Sequence, residues 1–183
     1  MIYAANISLD GYIEDERGNI EWTISDDETY AFWTDFQRSI GTYLYGRRMH
    51  ESMVYWETAS TSDDQPEVRR EFAQIWRAAE KIVYSRTLQA ESSARTRIER
   101  EFDHNAIRRL KESSGADITI GGPELAGQAM SAGLVDECHL LLNPIVLGGG
   151  KRAFSDNLRM RLELLGERRL RSGVVHLHYR VIV

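Results

Sequence analysis

Residues 117–150 constrain the fold more than any other part of the chain. They read D-I-T-I-G-G-P-E-L-A-G-Q-A-M-S-A-G-L-V-D-E-C-H-L-L-L-N-P-I-V-L-G-G-G. A β-branched run at 118–120 stops at Gly121-Gly122, and Pro123 opens a helical pattern in which Leu125, Ala126, Ala129 and Met130 share a face. Gly133 ends that helix, and residues 138–142 make a second apolar strand. The order strand, Gly-Gly, helix, strand predicts a parallel pair joined by a crossover helix. Two glycines let a ligand approach the backbone. The helix N-terminus behind them presents free N–H groups at the positive end of its dipole. The junction is a candidate seat for the phosphates of a cofactor.

The rest of the chain supplies strands and helices to surround this unit. A strand at 2–7 runs into S-L-D-G-Y-I, where Asp10-Gly11 signals a turn, and a polar loop closed by Ile20 and Trp22 follows. Ser25 or Asp26 caps a helix that carries Tyr30, Phe32, Trp33 and Phe36 to about Gly41. Strands are expected at 42–45, 81–85 and, more briefly, 96–102. Helices are expected at 49–55, from Pro66 to about 79, and after an Asp103 cap. Segments 162–170 and 174–183 form a hairpin around Ser172-Gly173. In its second strand Val175, Leu177, Tyr179, Val181 and Val183 fall on the core face. This alternation reads as an α/β fold in three layers, with a mainly parallel central sheet, helices on both faces and a C-terminal antiparallel hairpin. Residues 1–183 show no internal repeat and no linker, so a single domain is expected.

Composition narrows the function class. Hydrophobic residues make up 42% and charged residues 28%, a globular balance, and the net charge of -5 comes without a separate basic patch for nucleic acid. No apolar run approaches the roughly 20 residues that span a bilayer, and Met1 leads into an apolar strand without a basic n-region or cleavage site, so no secretory signal is expected. The one cysteine, Cys138, sits in an apolar strand, where inert packing is expected. A cytoplasmic protein with a small-molecule substrate is expected.

In a parallel sheet the strand C-termini share one edge, where ligands bind. Three expected strands end there in groups suited to phosphate: Gly46-Arg47-Arg48, Ser85-Arg86-Thr87 and Gly121-Gly122-Pro123. Arginine offers a planar fork of donors that matches phosphate oxygens. Two arginine junctions and one glycine junction suit a dinucleotide with a third phosphate, although the G-x-G-x-x-G fingerprint is absent.

At this point the chain resembles a family. S-L-D-G-Y-I, Y-G-R-R-M, V-Y-S-R-T-L, I-G-G-P-E-L, G-L-V-D-E and P-I-V-L-G-G-G-K-R-A-F occur in that order. Together they resemble the reductase family typified by the C-terminal domain of the riboflavin-biosynthesis deaminase-reductase, which has a dihydrofolate reductase-like fold. No deaminase region precedes the motifs, so a stand-alone member is expected. The resemblance implies NADPH as hydride donor and a homodimer. It implies that Gly121, Gly122, Glu124 and Leu125 meet the pyrophosphate region. Gly46, Arg47, Arg48, Ser85 and Arg86 would meet the adenosine and its 2′-phosphate, and the backbone of Ala5 the nicotinamide amide. Met49 departs from the pattern, where the family more often has threonine.

The N-terminal third also resembles dihydrofolate reductases: Asp10 after the first strand, Trp22 closing the loop, and Asp26-Asp27 opening a helix with aromatic residues on its next turns. That likeness implies a carboxylate proton donor, with Asp27 first and Asp10 second, and a pterin-like or pyrimidine-like substrate. An N-cap and a helix-dipole partner are the plain reading of the same two aspartates. The alternative function on this fold is non-catalytic nucleotide or flavin binding. His176 and His178 share a strand face, but no third metal ligand is evident in the sequence and a solvent-facing surface is expected.

Overall fold

A computed structural model describes residues 1–182. β1 (Ile2–Ser8) runs through the interior of an eight-stranded sheet, with β6 (Asp117–Gly121) along one side and β7 (Glu137–Asn143) along the other. Both are parallel to it. The 117–150 unit therefore does not make an adjacent pair: its two strands flank β1. The physical reason is burial. Tyr3 and Ile7 are buried on one face and Ile2 on the other, and the middle of the sheet is where helices of both layers cover a strand.

Beyond β6 the sheet continues in parallel through β3 (Ile40–Gly46), β4 (Glu80–Tyr84) and β5 (Thr96–Glu99). Beyond β7 lie β10 (Val175–Ile182) and the edge strand β9 (Arg161–Arg169), both antiparallel to their neighbours. The expected hairpin is present, with Leu177, Tyr179 and Val181 packed against the core and Val183 outside the described residues.

Helices cover both faces. On one, α5 (His104–Ser113) and α6 (Pro123–Ser131) set Ile107, Leu125, Ala126 and Ala129 against Tyr3, Leu44, Ile120 and Leu140. On the other, α1 (Asp27–Gln37), α2 (Arg47–Met53), α3 (Tyr55–Thr58) and α4 (Glu67–Ala78) bring Phe36, Met49, Met53, Trp56 and Trp76 over Ile2, Tyr43 and Tyr45. Asp26 is the α1 cap, accepting from Thr29 N at 2.8 Å and Thr29 Oγ1 at 2.7 Å. Asp103 caps α5 in the same way through Asn105 N. Among the described residues no helix is long and apolar enough to cross a membrane.

Two features depart from expectation. β2 (Tyr12–Glu14) and β8 (Lys151–Arg152) form a small separate antiparallel pair. Strands this short carry no hydrophobic period, and only the long-range contact defines them. The second departure corrects the reading of His176 and His178 as solvent-facing. They lie on the sheet face beneath α1, with the His176 ring 4.5 Å from Phe32, and His139 of β7 lies 5.0 Å from Phe36. Burial, assisted by neighbouring imidazoles, lowers the pKa of both His139 and His176 to about 4.

Candidate functional site at the carboxyl edge of the sheet

β1, β3, β4 and β6 end along one edge at Ser8, Gly46, Tyr84 and Gly121. The glycine junction is built as its sequence requires. Gly122 sits at φ 93°, ψ 125°, a conformation suited to glycine. A Cβ on it would come 3.9 Å from Gly46 N and from Met49 Cβ, so the β3 and β6 junctions face each other directly. A Cβ on Gly121 would press to 3.0 Å on Met49 Cγ and Tyr45 Cδ1. Met49 thus fills the space beneath the junction, an apolar packing duty where the related pattern has a hydroxyl.

α6 starts at this junction with no side-chain cap, and Pro123 at its first position has no N–H to satisfy. The N–H groups of Glu124 and Leu125 are left without helical acceptors. The Glu124 carboxylate is held by Lys151 Nζ at 2.9 Å, which keeps it below the usual carboxylate range. What Glu124 presents to an anion is therefore its backbone. Arg48, Glu124 and Lys151 line an open cleft of about 570 Å³ with Glu14, Asp15 and Gly150.

Arg47 and Arg48 are exposed at the start of α2. Arg47 pairs with Glu51 at 3.0 Å, and Arg48 only approaches Glu14 at 4.0 Å. At the end of β4 the buried Ser85 Oγ accepts from Leu88 N at 3.0 Å and Thr87 N at 3.3 Å, which curls the chain and leaves its hydroxyl hydrogen free. Arg100 ties this turn from below by donating to Ser85 O and Leu88 O. Arg86 projects from the turn, exposed and without an ion pair among the described residues.

At the β1 end the loop to α1 is anchored at several points. Asp10 accepts from Ser8 Oγ at 2.7 Å, Gly148 N at 2.7 Å and Leu147 N at 3.1 Å. Asp15 gathers Arg17 N and Asn19 N at 2.8 Å, and Trp22 Nε1 donates to Asn19 O. The loop closes where Asn143 Oδ1, at the end of β7, accepts from Ile24 N at 2.9 Å. Glu28 accepts from Arg171 N at 2.7 Å and tethers the first turn of α1 to the hairpin. Asp27 is exposed, and its carboxylate makes no hydrogen bond among the described residues.

Asp10 is thereby a clamp. The Ser8 hydroxyl, with the Gly148 and Leu147 amides behind it, holds its pKa at about 2 against an ordinary 3.8. These contacts give Asp10 a structural duty at the end of β1, beside the donor role that the resemblance implies for it. Because its pKa is lowered in the folded protein, its contribution is present at neutral pH and fades as pH falls from 3.8 toward 2. Asp10→Ala should speed amide exchange at Leu147 and Gly148, with the difference from the parent shrinking across that interval. Equal protection in both proteins at neutral pH would refute the clamp.

The glycine and arginine positions singled out in the sequence thus converge: Gly46, Arg47, Arg48, Gly121, Gly122, Glu124 and Leu125 meet at adjacent strand ends, with Ser85 and Arg86 one strand further out. Ala5 lies half-buried within β1, three residues before its end. Three residues of this region escaped the sequence reading. Asn6 carries an enclosed Oδ1 with no hydrogen-bond partner among the described residues. Asn143 and Lys151 anchor the loop and Glu124. For Asn6 and Asn143 the available signal was a polar residue inside, or at the end of, an apolar strand; Lys151, after three glycines, carried no such signal.

The sequence profile of the RibD C-terminal domain matches residues 1–176. The chain belongs to the RibD C-terminal domain family. A family relative, YyaP of Bacillus subtilis, is 34% identical over 94% of this chain and 90% of its own length. A protein from Shewanella sp. PV-4 named for riboflavin biosynthesis has a TM-score of 0.77 at 17% identity, covering 100% of this chain and 98% of the other. A pyrimidine reductase-like protein from Corynebacterium diphtheriae has a TM-score of 0.69 at 17% identity, covering 100% and 91%. Among RibD-like domains this α/β architecture, mostly parallel with antiparallel C-terminal strands, is the dihydrofolate reductase-like, reductase-type fold.

Proposed function

We propose that this RibD C-terminal domain protein is an NADPH-dependent reductase of a small heteroaromatic, pterin-like or pyrimidine-like compound. The carrying observation is the apposition of Gly122 with Gly46 N at two neighbouring strand ends, with Arg47 and Arg48 directly after Gly46. The residues fit a phosphorylated dinucleotide. The first turn of α6 is uncapped, its approach is lined by glycine, and Arg86 holds no ion pair among the described residues.

In this reading the N–H groups of Glu124 and Leu125, with Gly121 and Gly122, receive the pyrophosphate. Gly46, Arg47, Arg48, Ser85 and Arg86 receive the adenosine and its 2′-phosphate, and the Ala5 backbone meets the nicotinamide amide. The cofactor, when bound, supplies the hydride, and the protein supplies orientation. The loop anchored by Asp10 and Asn143 excludes water from the β1 end. Asp27, exposed on the first turn of α1 beside that loop, is the proton donor of this reading. A homodimer completes the proposal, supported by the apolar side chains Leu164, Leu165 and Ile182 exposed on the outer two strands.

Titration with NADPH and NADH, followed through tryptophan fluorescence, tests the cofactor. NADPH should bind more tightly, and Arg47→Ala or Arg86→Ala should erase that preference. One charge-assisted hydrogen bond is worth about 1.5–3 kcal/mol, or roughly ten- to a hundred-fold in affinity. Two variants that both keep the preference would remove the 2′-phosphate assignment. Binding without NADPH oxidation across pterin and pyrimidine substrates would favour a non-catalytic nucleotide-binding protein.

A further inference from the structure

We propose that Glu137, His139 and His178 form a binding site for a divalent first-row transition metal of the zinc class, on the sheet face beneath α1. The site is a product of strand register. Glu137 and His139 are two apart on β7 and so share a face. His178 of β10 is the cross-strand partner of His139, which brings the ring centroids to 3.9 Å. One ligand atom from each of the three residues lies within 4.8 Å of the other two. Glu137 Oε2 is 2.7 Å from His178 Nε2 and 3.7 Å from His139 Nε2.

A zinc ion bonded at about 2.0–2.1 Å to nitrogen and oxygen holds tetrahedral ligands roughly 3.4 Å apart, so small side-chain rotations would seat it. An ordinary Glu137–His178 hydrogen bond accounts for one pair. A second imidazole nitrogen is turned toward the same carboxylate oxygen, which gathers two nitrogen donors and one oxygen donor around one point.

A fourth residue completes the arrangement. His139 Nδ1 lies 3.2 Å from His176 Nε2, and His176 packs on Phe32. When His139 Nδ1 donates to His176, its Nε2 carries the lone pair, which is the outer-shell support expected of a metal-bound imidazole. Two imidazoles and one carboxylate favour zinc, nickel, cobalt or copper over calcium and magnesium, which take oxygen shells. The ligands are half-buried: the side chains are 13% exposed for His139, 27% for His178 and 37% for Glu137, so solvent can fill the remaining position.

The site lies near the start of β7, four residues before Asn143 at the cofactor edge, or about 13 Å along the strand. It is thus independent of the NADPH reading. A bound ion would tie β7 to β10 under the aromatic face of α1.

The test uses the full chain without a polyhistidine tag, stripped by chelator and titrated calorimetrically with Zn²⁺, with Mg²⁺ as the contrast. One zinc per chain is expected, with a raised melting temperature and a visible d–d band on Co²⁺ substitution. His139→Ala, His178→Ala and Glu137→Gln should each abolish tight binding, and His104→Gln should leave it intact. His176→Gln, which alters only the outer support, should weaken it about 10–100-fold. Absence of zinc binding by the unmodified chain at micromolar concentrations would overturn the proposal, whatever the variants do. So would undiminished binding by the His139→Ala/His178→Ala protein.

Discussion

Trp76→Ala is expected to lower the stability of the fold by about 3–5 kcal/mol, the range for emptying a fully buried aromatic site. For a chain of this size that is a fall in melting temperature of roughly 6–20 °C. Trp76 is 0% exposed and holds together three elements. Its ring fills the space over Tyr43 and Tyr45 of β3, and its Nε1 donates to Tyr45 OH at 3.3 Å. Lys81 of β4, only 1% exposed, places Nζ 4.3 Å from the ring centre and donates to Trp76 O at 3.1 Å. Burial lowers the pKa of that ammonium, and the indole face and the helix-end carbonyl compensate it. Alanine would remove the indole face and leave Lys81 over a void. Trp76→Phe keeps an aromatic face and loses the N–H, so it should cost nearer 1 kcal/mol. Thermal melts of the two variants check this. A Trp76→Ala protein that melts with the parent, or above Trp76→Phe, would show that the helix repacks and that the account is wrong.

Gly150→Ala is expected to destabilise for a different reason. Gly150 has φ 125°, and a Cβ there would lie 2.0 Å from Glu14 O and 2.8 Å from Asp15 C. Backbone atoms cannot swing aside as a side chain can. The dihedral strain costs about 1–3 kcal/mol, and the overlap adds about 1–3 kcal/mol more. The chain's escape is to separate β2 from β8, so the damage should concentrate in the loop that follows β1. Gly149→Ala is the control: its Cβ would meet Glu16 Oε1 at 2.6 Å, the far end of an exposed, movable side chain. Thermal melts and proteolysis of the 9–24 loop should show Gly150→Ala opened and Gly149→Ala close to the parent. Indistinguishable variants would contradict the packing. The Gly148-Gly149-Gly150 run is thus chiefly a place where two backbones meet.

The sequence was readable where local chemistry and tertiary demand agree. The Gly121-Gly122-Pro123 junction, the aspartate caps, the alternation of Val175, Leu177, Tyr179 and Val181, and the parallel strands all announce themselves within a few residues. Features created by distance were not legible. Nothing near Ile2 says that β1 will separate β6 from β7. Nothing in Y-I-E or K-R announces a strand pair, because their partners lie more than a hundred residues apart. The histidine face was misread because a strand's pattern gives the alternation of its sides and not what covers each side, which here is Phe32 and Phe36 of α1. Asp10 was visible as a turn residue, but its second employment as the acceptor for Leu147 and Gly148 depends on a contact 137 residues away.

β7 carries a further consequence, concerning which changes of length the gene can accept. On one side of this strand Cys138, Leu140 and Leu142 join the core cluster with α5 and α6. On the other, Glu137, His139, Leu141 and Asn143 look toward α1. A single codon inserted or deleted between Glu137 and Asn143 would reverse the sides of every residue beyond it. Part of the core would turn outward, and either the Asn143 anchor or the Glu137–His139 pair would turn away from α1. Substitutions in β7 can be tested one at a time, whereas its length is fixed jointly by needs at both of its ends.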